Sequence, residues 1–117
     1  MSMYQINFSD QSMAEINKLS TLEQLPLVES ISAITPERLN TDRNIGMITR
    51  DDKIFYRLRF EDFRIYFEIK ESTLFCNYVL HKHSLADFVF RMKLPLTEEQ
   101  KIEQEQSFWK YLESLKK

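Results

Sequence analysis

The feature that most constrains the fold is an alternation of apolar residues that changes parity twice in the middle of the chain. Even-numbered positions are apolar in residues 53–60, odd-numbered positions in 63–69, and even-numbered positions again in 73–81. Because successive side chains of a strand point to opposite faces, each change of parity is what a two-residue hairpin turn requires. Turns at Glu61–Asp62 and Glu71–Ser72 would place every apolar residue on one face. The pattern therefore predicts a three-stranded antiparallel meander with helices covering its apolar face.

The other face of the predicted meander is polar and carries three arginines. The hairpin register places Arg57 opposite Tyr66 and Arg59 opposite Arg64. We expect this face to stay open to solvent. There, guanidinium groups match phosphate oxygens, and a tyrosine stacks on a base or donates its hydroxyl, so the pattern indicates a phosphate-binding surface. A second interpretation stays open, because solvent-facing strand positions also carry Arg and Tyr for solubility and cross-strand pairing.

Amphipathic patterns before the meander predict a strand followed by a helical hairpin. Apolar residues alternate in residues 4–8, which suits a short half-buried strand. They recur at helical spacing in residues 13–34, which predicts two helices, and Thr35–Pro36 would close the second one. Residues 37–52 are rich in Asn, Asp and Arg and indicate a loop.

Two further helices are predicted after the meander. Residues 84–90 have the spacing of a short amphipathic helix. Thr97 and Gln100 form a capping box that would open a last helix. The apolar stripe of that helix, which is more typical of core packing than of a partner groove, comprises Phe108, Tyr111, Leu112 and Leu115.

Composition limits the class of protein. The chain has 117 residues, of which 43% are hydrophobic, as in one ordinary globular domain. It has no apolar run of membrane-spanning length and no secretory signal pattern, so we expect a soluble, cytoplasmic protein without membrane contact. A net charge of −2 and a pI of about 5.7 argue against a wholly basic surface. Residues 43–93 nevertheless contain ten Lys or Arg against seven Asp or Glu, which permits either a locally basic face or an ordinary mixed surface.

The tripeptide His81-Lys82-His83 ends the third predicted strand. Its imidazoles could act as acid and base or contact phosphate. No third ligand lies at zinc-binding spacing, so the sequence predicts no metal site.

The lone cysteine can form no internal disulfide. Cys76 falls on the predicted apolar face together with Leu74, Tyr78 and Leu80. Burial as a small hydrophobic side chain is therefore favoured over nucleophilic catalysis.

The hairpin FYRLRFEDFRIYFEI, followed by NYVLHKHSLADF, gives the chain a family resemblance. Together with the order strand, helical hairpin and meander, it resembles the RelE/ParE superfamily of toxin–antitoxin toxins, and in particular the cyanobacterial variant known as cytotoxic translational repressor. The similarity covers about residues 3–95. It implies an α+β fold in which an N-terminal strand and a two-helix hairpin pack on a three-stranded antiparallel meander. Residues 1–95 would form this domain, and residues 96–117 would add a C-terminal helical extension to it.

The resemblance to RelE-like members implies a ribosome-dependent mRNA endoribonuclease that needs no metal and no cofactor. The 2′-hydroxyl of the substrate would attack the adjacent phosphate while basic side chains activate it and stabilise the developing charge. Arg64 matches the family's transition-state-stabilising arginine, and Arg57 takes the place of a lysine that assists deprotonation. Lys82 and His83 lie where the family carries a second basic pair. The residues expected to bind substrate are Arg59, Tyr66 and His81.

Departures from the family pattern keep other functions open. The tyrosine expected in the helix after the meander is replaced by Phe88, Val89 or Phe90, none of which can donate a proton, so Tyr66 would have to substitute from the sheet. The low pI also differs from the usual basic character of the family. The alternatives are a non-catalytic interaction or regulatory module on the same scaffold, and a gyrase inhibitor in the manner of ParE members.

The resemblance also implies partners. A cognate antitoxin would cover the arginine face with an acidic, partly disordered segment. The ribosome and its mRNA would be partners of an active enzyme, and a homo-oligomer is left open.

Overall fold

The structure is a computed structural model that describes residues 4–91 and 103–115. Within these residues the chain forms five strands and five helices. In chain order they are β1 (Gln5–Phe8), α1 (Asp10–Asn17), α2 (Thr21–Ser32), α3 (Arg38–Thr41), β2 (Ile45–Arg50), β3 (Lys53–Phe60), β4 (Phe63–Lys70), β5 (Thr73–His81), α4 (Lys82–Arg91) and α5 (Gln106–Ser114). The strands form one sheet in the order β1-β5-β4-β3-β2, in which β1 is parallel to β5 and the other neighbours are antiparallel.

The predicted meander is confirmed as β3, β4 and β5. Arg57 pairs with Tyr66, and Arg59 pairs with Arg64, as the parity of the sequence requires. Both connecting turns have two residues, and each begins with a glutamate in the left-handed region, where φ is 50° at Glu61 and 57° at Glu71. The chain's single glycine lies in neither turn, so acidic residues adopt the conformation that glycine usually supplies.

A β-bulge in β5 overturns part of the predicted face assignment. Tyr66 pairs with Tyr78 while its neighbour Phe67 pairs with Cys76, so Asn77 is an extra residue on β5. A bulge resets the alternation of side chains beyond it. The prediction that Tyr78 and Leu80 share the apolar face with Cys76 is therefore wrong, because the bulge turns both residues to the opposite face.

The face of the sheet that packs against α1 and α2 is here called the hairpin face. The two predicted helices are confirmed, and each begins at a serine cap, Ser9 for α1 and Ser20 for α2. They bury an apolar core against the strands, as the prediction for the apolar face requires. The buried residues of this core are Ile16, Leu27, Ile31, Ile34, Ile45, Leu58, Ile65, Phe67, Leu74, Cys76 and Val79.

The opposite face, here called the C-terminal face, is covered by residues 103–115, the C-terminal segment. The prediction that this face stays open is wrong. The bulge supplies the physical reason, because it gives this face two large apolar side chains that a helix can bury. The second core comprises Ile48, Tyr66, Tyr78, Leu80, Leu85, Phe108, Trp109 and Leu112.

The predicted loop at residues 37–52 is wrong in part, because it contains the short helix α3 and the edge strand β2. In β2, Gly46 pairs with Arg57. A two-residue turn joins β2 to β3, with φ of 50° at Asp51 and 65° at Asp52, the pair of left-handed residues typical of a type I′ hairpin. Polar turn residues next to a short strand concealed the strand in the sequence.

The helix predicted at residues 84–90 is confirmed within the longer α4, and the last apolar stripe lies on α5 and the residue after it. The capping box at Thr97 and Gln100 lies outside the described residues, as does the boundary at 95/96, which stays a prediction. Within residues 4–91 and 103–115, no helix combines the length and the apolar character needed to cross a bilayer.

Candidate functional site

The predicted site residues on the C-terminal face form two adjacent rows across the sheet. One row joins Arg57 of β3 and Tyr66 of β4, and the next row toward the β3–β4 turn joins Arg59 and Arg64. Side chains paired across antiparallel strands lie about 4.5–5.5 Å apart at Cβ. The meander therefore brings these four residues together, as the sequence predicts.

Arg57 and Tyr66 meet a carboxylate of the C-terminal segment. Arg57 Nε donates to Glu103 Oε2 at 3.2 Å, and the Tyr66 hydroxyl donates to the same oxygen at 2.7 Å. All three residues are buried, with Arg57 only 2% exposed and Glu103 only 1%. The charge of the arginine is thus neutralised within the protein by a residue 46 positions away in sequence.

Glu103 is the residue of the site that sequence reasoning missed. Its backbone carbonyl accepts a hydrogen bond from Trp109 Nε1 at 2.7 Å, which ties the carboxylate to the start of α5. Trp109 in turn packs on Phe55 with ring centroids 4.7 Å apart, and the Arg50 guanidinium lies 5.3 Å from the Trp109 ring centroid. Nothing in the local sequence around Glu103 indicates this role, because every contact that defines it is with a distant strand or depends on the docking of the helix.

Gly46 makes room for the guanidinium of Arg57. A Cβ atom at Gly46 would lie 2.8 Å from Arg57 Nη2 and 3.3 Å from its Cζ. The carbonyl of Asn44 accepts from Arg57 Nη1 at 3.3 Å on the same side. The single glycine of the chain is therefore explained by a close approach, and its spacing to Arg57 gives no sign of this in the sequence.

Arg64 lies at the β3–β4 turn. Its Nη1 donates to the carbonyls of Glu61 at 3.1 Å and Phe63 at 2.9 Å, and the residue is 8% exposed. Arg59, its cross-strand neighbour, is exposed. The arginine that would stabilise a transition state is therefore held by the turn, while Arg59 in the same row is exposed.

Lys82 is the first residue of α4 and closes the same end of the sheet. Its backbone N–H donates to the carbonyl of Asp62 at 2.7 Å, and its ammonium group lies 3.1 Å from the Asp62 carboxylate. The hydrogen bond from Lys82 lowers the pKa of Asp62 below its ordinary value. Lys82 thus lies beside the turn that holds Arg64, as an exposed cation that faces the Asp62 carboxylate.

The two histidines stack on each other beside this end of the sheet. Their ring centroids are 4.6 Å apart, and the backbone N–H of His83 donates to His81 Nδ1 at 3.1 Å. His81 pairs with Phe63, and their rings meet edge to face at 5.3 Å, which places His81 toward the hairpin face. The structure therefore separates His81 from Arg57 and Tyr66 by the thickness of the sheet, while His83 lies on the exposed first turn of α4.

Among the described residues, no group of three His, Cys, Asp or Glu is placed to hold a metal ion. Cys76 is buried on the hairpin face, as predicted. Burial raises the pKa of its thiol to about 11, so the thiolate that a nucleophile requires is suppressed near neutral pH.

An open cavity of about 270 Å³ lies where α5 passes over the β2–β3 turn. Its lining mixes charge with aromatic surface and includes Arg50, Lys53, Phe55, Glu68 and Tyr78. Burial is the largest cause that raises the pKa of Tyr78 to about 12. The cavity lies at the end of the C-terminal face opposite the β3–β4 turn, away from the predicted catalytic residues.

The sequence matches no protein-family model and no curated protein. The fold is similar to that of a chain in the crystal structure of the toxin–antitoxin complex RelBE2 from Mycobacterium tuberculosis, with a TM-score of 0.54 and 19% sequence identity. The match covers 69% of this chain and 93% of that chain. This chain therefore has an α+β, RelE-like fold, and the fold expected from the sequence resemblance is confirmed.

Proposed function

We propose that this chain is the toxin of a toxin–antitoxin pair and cleaves mRNA on the ribosome. The observation that carries the proposal is the cross-strand pair Arg59 and Arg64 beside the β3–β4 turn, where Lys82 binds Asp62, on a RelE-like fold. Clustered guanidinium and ammonium groups suit a phosphodiester backbone, which presents one negative charge per nucleotide. The similar structure is itself a toxin–antitoxin complex, which supports a toxin-type role at the level of the fold.

In the proposed reaction, the 2′-oxygen of a ribose attacks the adjacent phosphorus and the 5′-oxygen of the next nucleotide leaves. The products are a 2′,3′-cyclic phosphate and a 5′-hydroxyl. The 2′-hydroxyl gives up its proton to a base, and the leaving oxygen gains one from an acid. The reaction needs only positioning, proton transfer and charge stabilisation by side chains.

The residues divide among these roles according to their chemistry. Arg64, fixed by the β3–β4 turn, would stabilise charge on the phosphoryl oxygens. Imidazole is the side chain that most readily accepts and returns a proton near neutral pH, so His83 is a better proton carrier than Arg57, which stays charged. Lys82, directly after β5, would bind the phosphodiester backbone of the RNA. Of the expected substrate contacts, Arg59 is exposed on this face, whereas Tyr66 is covered by Glu103 and His81 lies toward the hairpin face, so Arg59 would make the first contact.

The partner that would restrain such a toxin is an antitoxin with an acidic segment. Opposite charges steer association and fix the register of the complex. The exposed cations around the β3–β4 turn, Arg59 and Lys82, are the surface we expect that segment to cover.

The burial of the Arg57 and Tyr66 pair favours a second candidate function, a non-catalytic interaction module. Both side chains already have a buried partner in Glu103, so neither meets solvent in this structure. An active nuclease needs its substrate contacts accessible at least in the bound state. A scaffold protein has no such requirement, and the two candidates therefore make opposite predictions for expression in cells.

The test is controlled expression in bacteria, with growth measured beside primer extension on cellular mRNA. The informative variant is Arg59→Ala/His83→Ala, because both side chains are exposed and their loss leaves both cores intact. The matched control is Lys18→Ala, an exposed cation that directly follows α1 and pairs with Glu15. The proposal expects growth arrest and cuts within reading frames for the wild type and the control, and neither for the double variant.

Two results would contradict the nuclease proposal in different ways. Arrest without mRNA cuts would indicate another target, such as gyrase. Normal growth with abundant, folded protein would favour the interaction module.

A further inference from the structure

We infer that the pair Arg57 and Tyr66 forms an oxyanion-binding site, and that Glu103 occupies it as an internal substitute for an RNA phosphodiester. The C-terminal segment is then a removable cover over this site. The choice of RNA as the external ligand rests on the proposed function. The existence of the oxyanion site rests on the geometry alone.

Two donors converge on one oxygen of Glu103. Arg57 Nε and the Tyr66 hydroxyl lie 3.2 Å and 2.7 Å from the same Oε2 atom. Convergent donors, one of them charged, are the arrangement that holds a phosphoryl oxygen as well as a carboxylate oxygen. The site therefore selects an oxyanion without distinguishing between the two acids by shape.

Contacts outside the cover hold Arg57 in place, and the sheet fixes the backbone position of Tyr66. The carbonyl of Asn44 accepts from Arg57 Nη1 at 3.3 Å, and Gly46 leaves the space in which the guanidinium lies. Tyr66 lies in the middle strand β4, between β3 and β5. Departure of Glu103 would expose an arranged site on the sheet.

The charges around the site favour a polyanion over a single carboxylate. The adjacent row carries Arg59 and Arg64, and Arg50 lies further along the same face over Trp109. Arg59 is exposed, so an RNA strand can bind at that end while the cover is in place. A neighbouring phosphate of the same strand would then compete with Glu103 for Arg57.

The apolar face of the short amphipathic helix α5 attaches the cover to the sheet. Phe108, Trp109 and Leu112 of α5 are its buried side chains. Trp109 is the only tryptophan of the chain and is 3% exposed, so its emission reports whether the cover is seated. A bound RNA that displaces Glu103 would expose this ring to water.

The test measures binding of a 12-nucleotide 2′-O-methyl RNA, which lacks the free hydroxyl needed for cleavage, to full-length protein. We expect Glu103→Gln to bind about tenfold more tightly than the wild type, because the variant removes the competing carboxylate charge. The matched control is Glu105→Gln, which makes the same change in net charge at an exposed position. We expect this control to bind like the wild type, and we expect RNA to shift the Trp109 emission of the wild type to longer wavelength.

A second variant, Leu112→Ala, tests the inference independently in case Glu103→Gln does not fold. Leu112→Ala loosens the cover from its apolar side and leaves every charge in place. It should also bind the RNA more tightly, by about threefold to tenfold, while circular dichroism shows that the sheet is retained. An effect of local charge alone would leave this variant at the affinity of the wild type.

Several results would overturn the inference. They are equal RNA affinity of the wild type and Glu103→Gln, RNA binding with no change in Trp109 emission, and no RNA binding by any variant. A response of Trp109 to a polyglutamate peptide but not to RNA would assign the site to an acidic protein partner instead. Failure of the proposed function is separate, because it would show as absent mRNA cuts in cells while the uncleavable RNA still binds and shifts Trp109.

Discussion

The two faces of the sheet are buried by different means. The hairpin face is covered by two helices, and its buried residues are apolar apart from Ser12 at its edge. In the described part of the chain, the C-terminal face is covered by α5 together with Leu85 of α4, and its buried residues include the ionic contact of Arg57 with Glu103. Apolar burial is non-directional, whereas a buried ion pair is stable only with its partner in place.

The core on the hairpin face is therefore required for the sheet to fold, whereas the C-terminal segment stays attached only while its contacts are intact. The hairpin core joins α1, α2 and four strands, so its loss unfolds the whole sheet. The C-terminal segment meets the sheet through a few aromatic rings and one carboxylate, and it can detach while the sheet persists. Substitutions on the two faces should therefore differ in the kind of unfolding as well as in its free energy.

The largest effect is expected on the hairpin face, from Phe67→Ala. Phe67 is fully buried and stacks on Tyr56 with ring centroids 5.4 Å apart. Removing its ring should lower the free energy of unfolding by about 3–5 kcal/mol, in a single cooperative transition. Urea unfolding followed by circular dichroism measures it. The control Ile54→Ala, at an exposed position of β3, should change stability by less than about 0.5 kcal/mol.

On the C-terminal face, Glu103→Leu should lower stability by about 3 kcal/mol, because it leaves the Arg57 charge buried without its carboxylate. The loss should be seen first as a red shift of Trp109 emission, before the circular dichroism changes. The loss cannot exceed the free energy with which the C-terminal segment docks on the sheet, because detachment of the segment exposes the Arg57 charge to water.

The rescue variant is Arg57→Met/Glu103→Leu, which replaces both charges by apolar groups. We expect it to be more stable than Glu103→Leu, because no charge is left buried without its partner, while the Tyr66 hydroxyl still loses the Glu103 oxygen to which it donates. If the double variant were as unstable as the single one, packing around the pair would dominate, and the contrast between the two faces would rest on shape instead of charge.

A third and smaller effect is expected from Gly46→Ala. The new Cβ would lie 2.8 Å from Arg57 Nη2, so the guanidinium must leave the position in which it binds Glu103, at a cost of about 1–2 kcal/mol. Thermal unfolding measures the change. In an Arg57→Met/Glu103→Leu background the same substitution should cost little, because the crowding atoms are gone, and equal costs in the two backgrounds would contradict the close-approach explanation.

The hairpin face could be predicted from sequence because its rules are local. Alternation fixed the register of Arg57 with Tyr66, and two-residue turns fixed the strand ends, as the structure confirms. Helical spacing identified the apolar stripe of α5 as well as the helices that cover the hairpin face. Periodicity reports which side of an element is apolar, and that information is sufficient where the burial is purely apolar.

The C-terminal face could not be predicted in the same way. No sequence pattern indicates the bulge at Asn77, and a regular strand without the bulge would place Tyr78 on the hairpin face. The contact of Glu103 with Arg57 joins residues 46 positions apart, and it follows from the docking of α5, not from spacing. The candidate residues were therefore found by type and register, while the accessibility of Arg57 and Tyr66 was mispredicted.

The smallest expected effect comes from a partly exposed ion pair outside both cores. Its contribution to stability is the reference against which the buried ion pair of Arg57 and Glu103 is compared. Arg38 Nε donates to Asp42 Oδ2 at 3.0 Å, and the hydrogen bond from Arg38 lowers the pKa of Asp42. Because the folded-state pKa is lowered, this carboxylate stabilises the fold above its unfolded pKa of about 3.9, and the contribution is lost as pH falls through the folded value.

Asp42→Asn should therefore be less stable than the wild type by about 0.5–1 kcal/mol at pH 7, a modest value because solvent screens a pair in which the Arg38 side chain is 34% exposed. The amide oxygen can still accept from the backbone N–H of Asn44, so the comparison isolates the charge. Urea unfolding from pH 7 down to about pH 2 should show the gap closing as Asp42 is protonated. A difference in stability that stayed constant with pH would mean that the amide disturbs the end of α3 and that the Asp42 charge contributes nothing. In that case, Asp42 would give no reference value for a partly exposed ion pair. The loss of about 3 kcal/mol expected for Glu103→Leu could then not be ascribed to the burial of its ion pair.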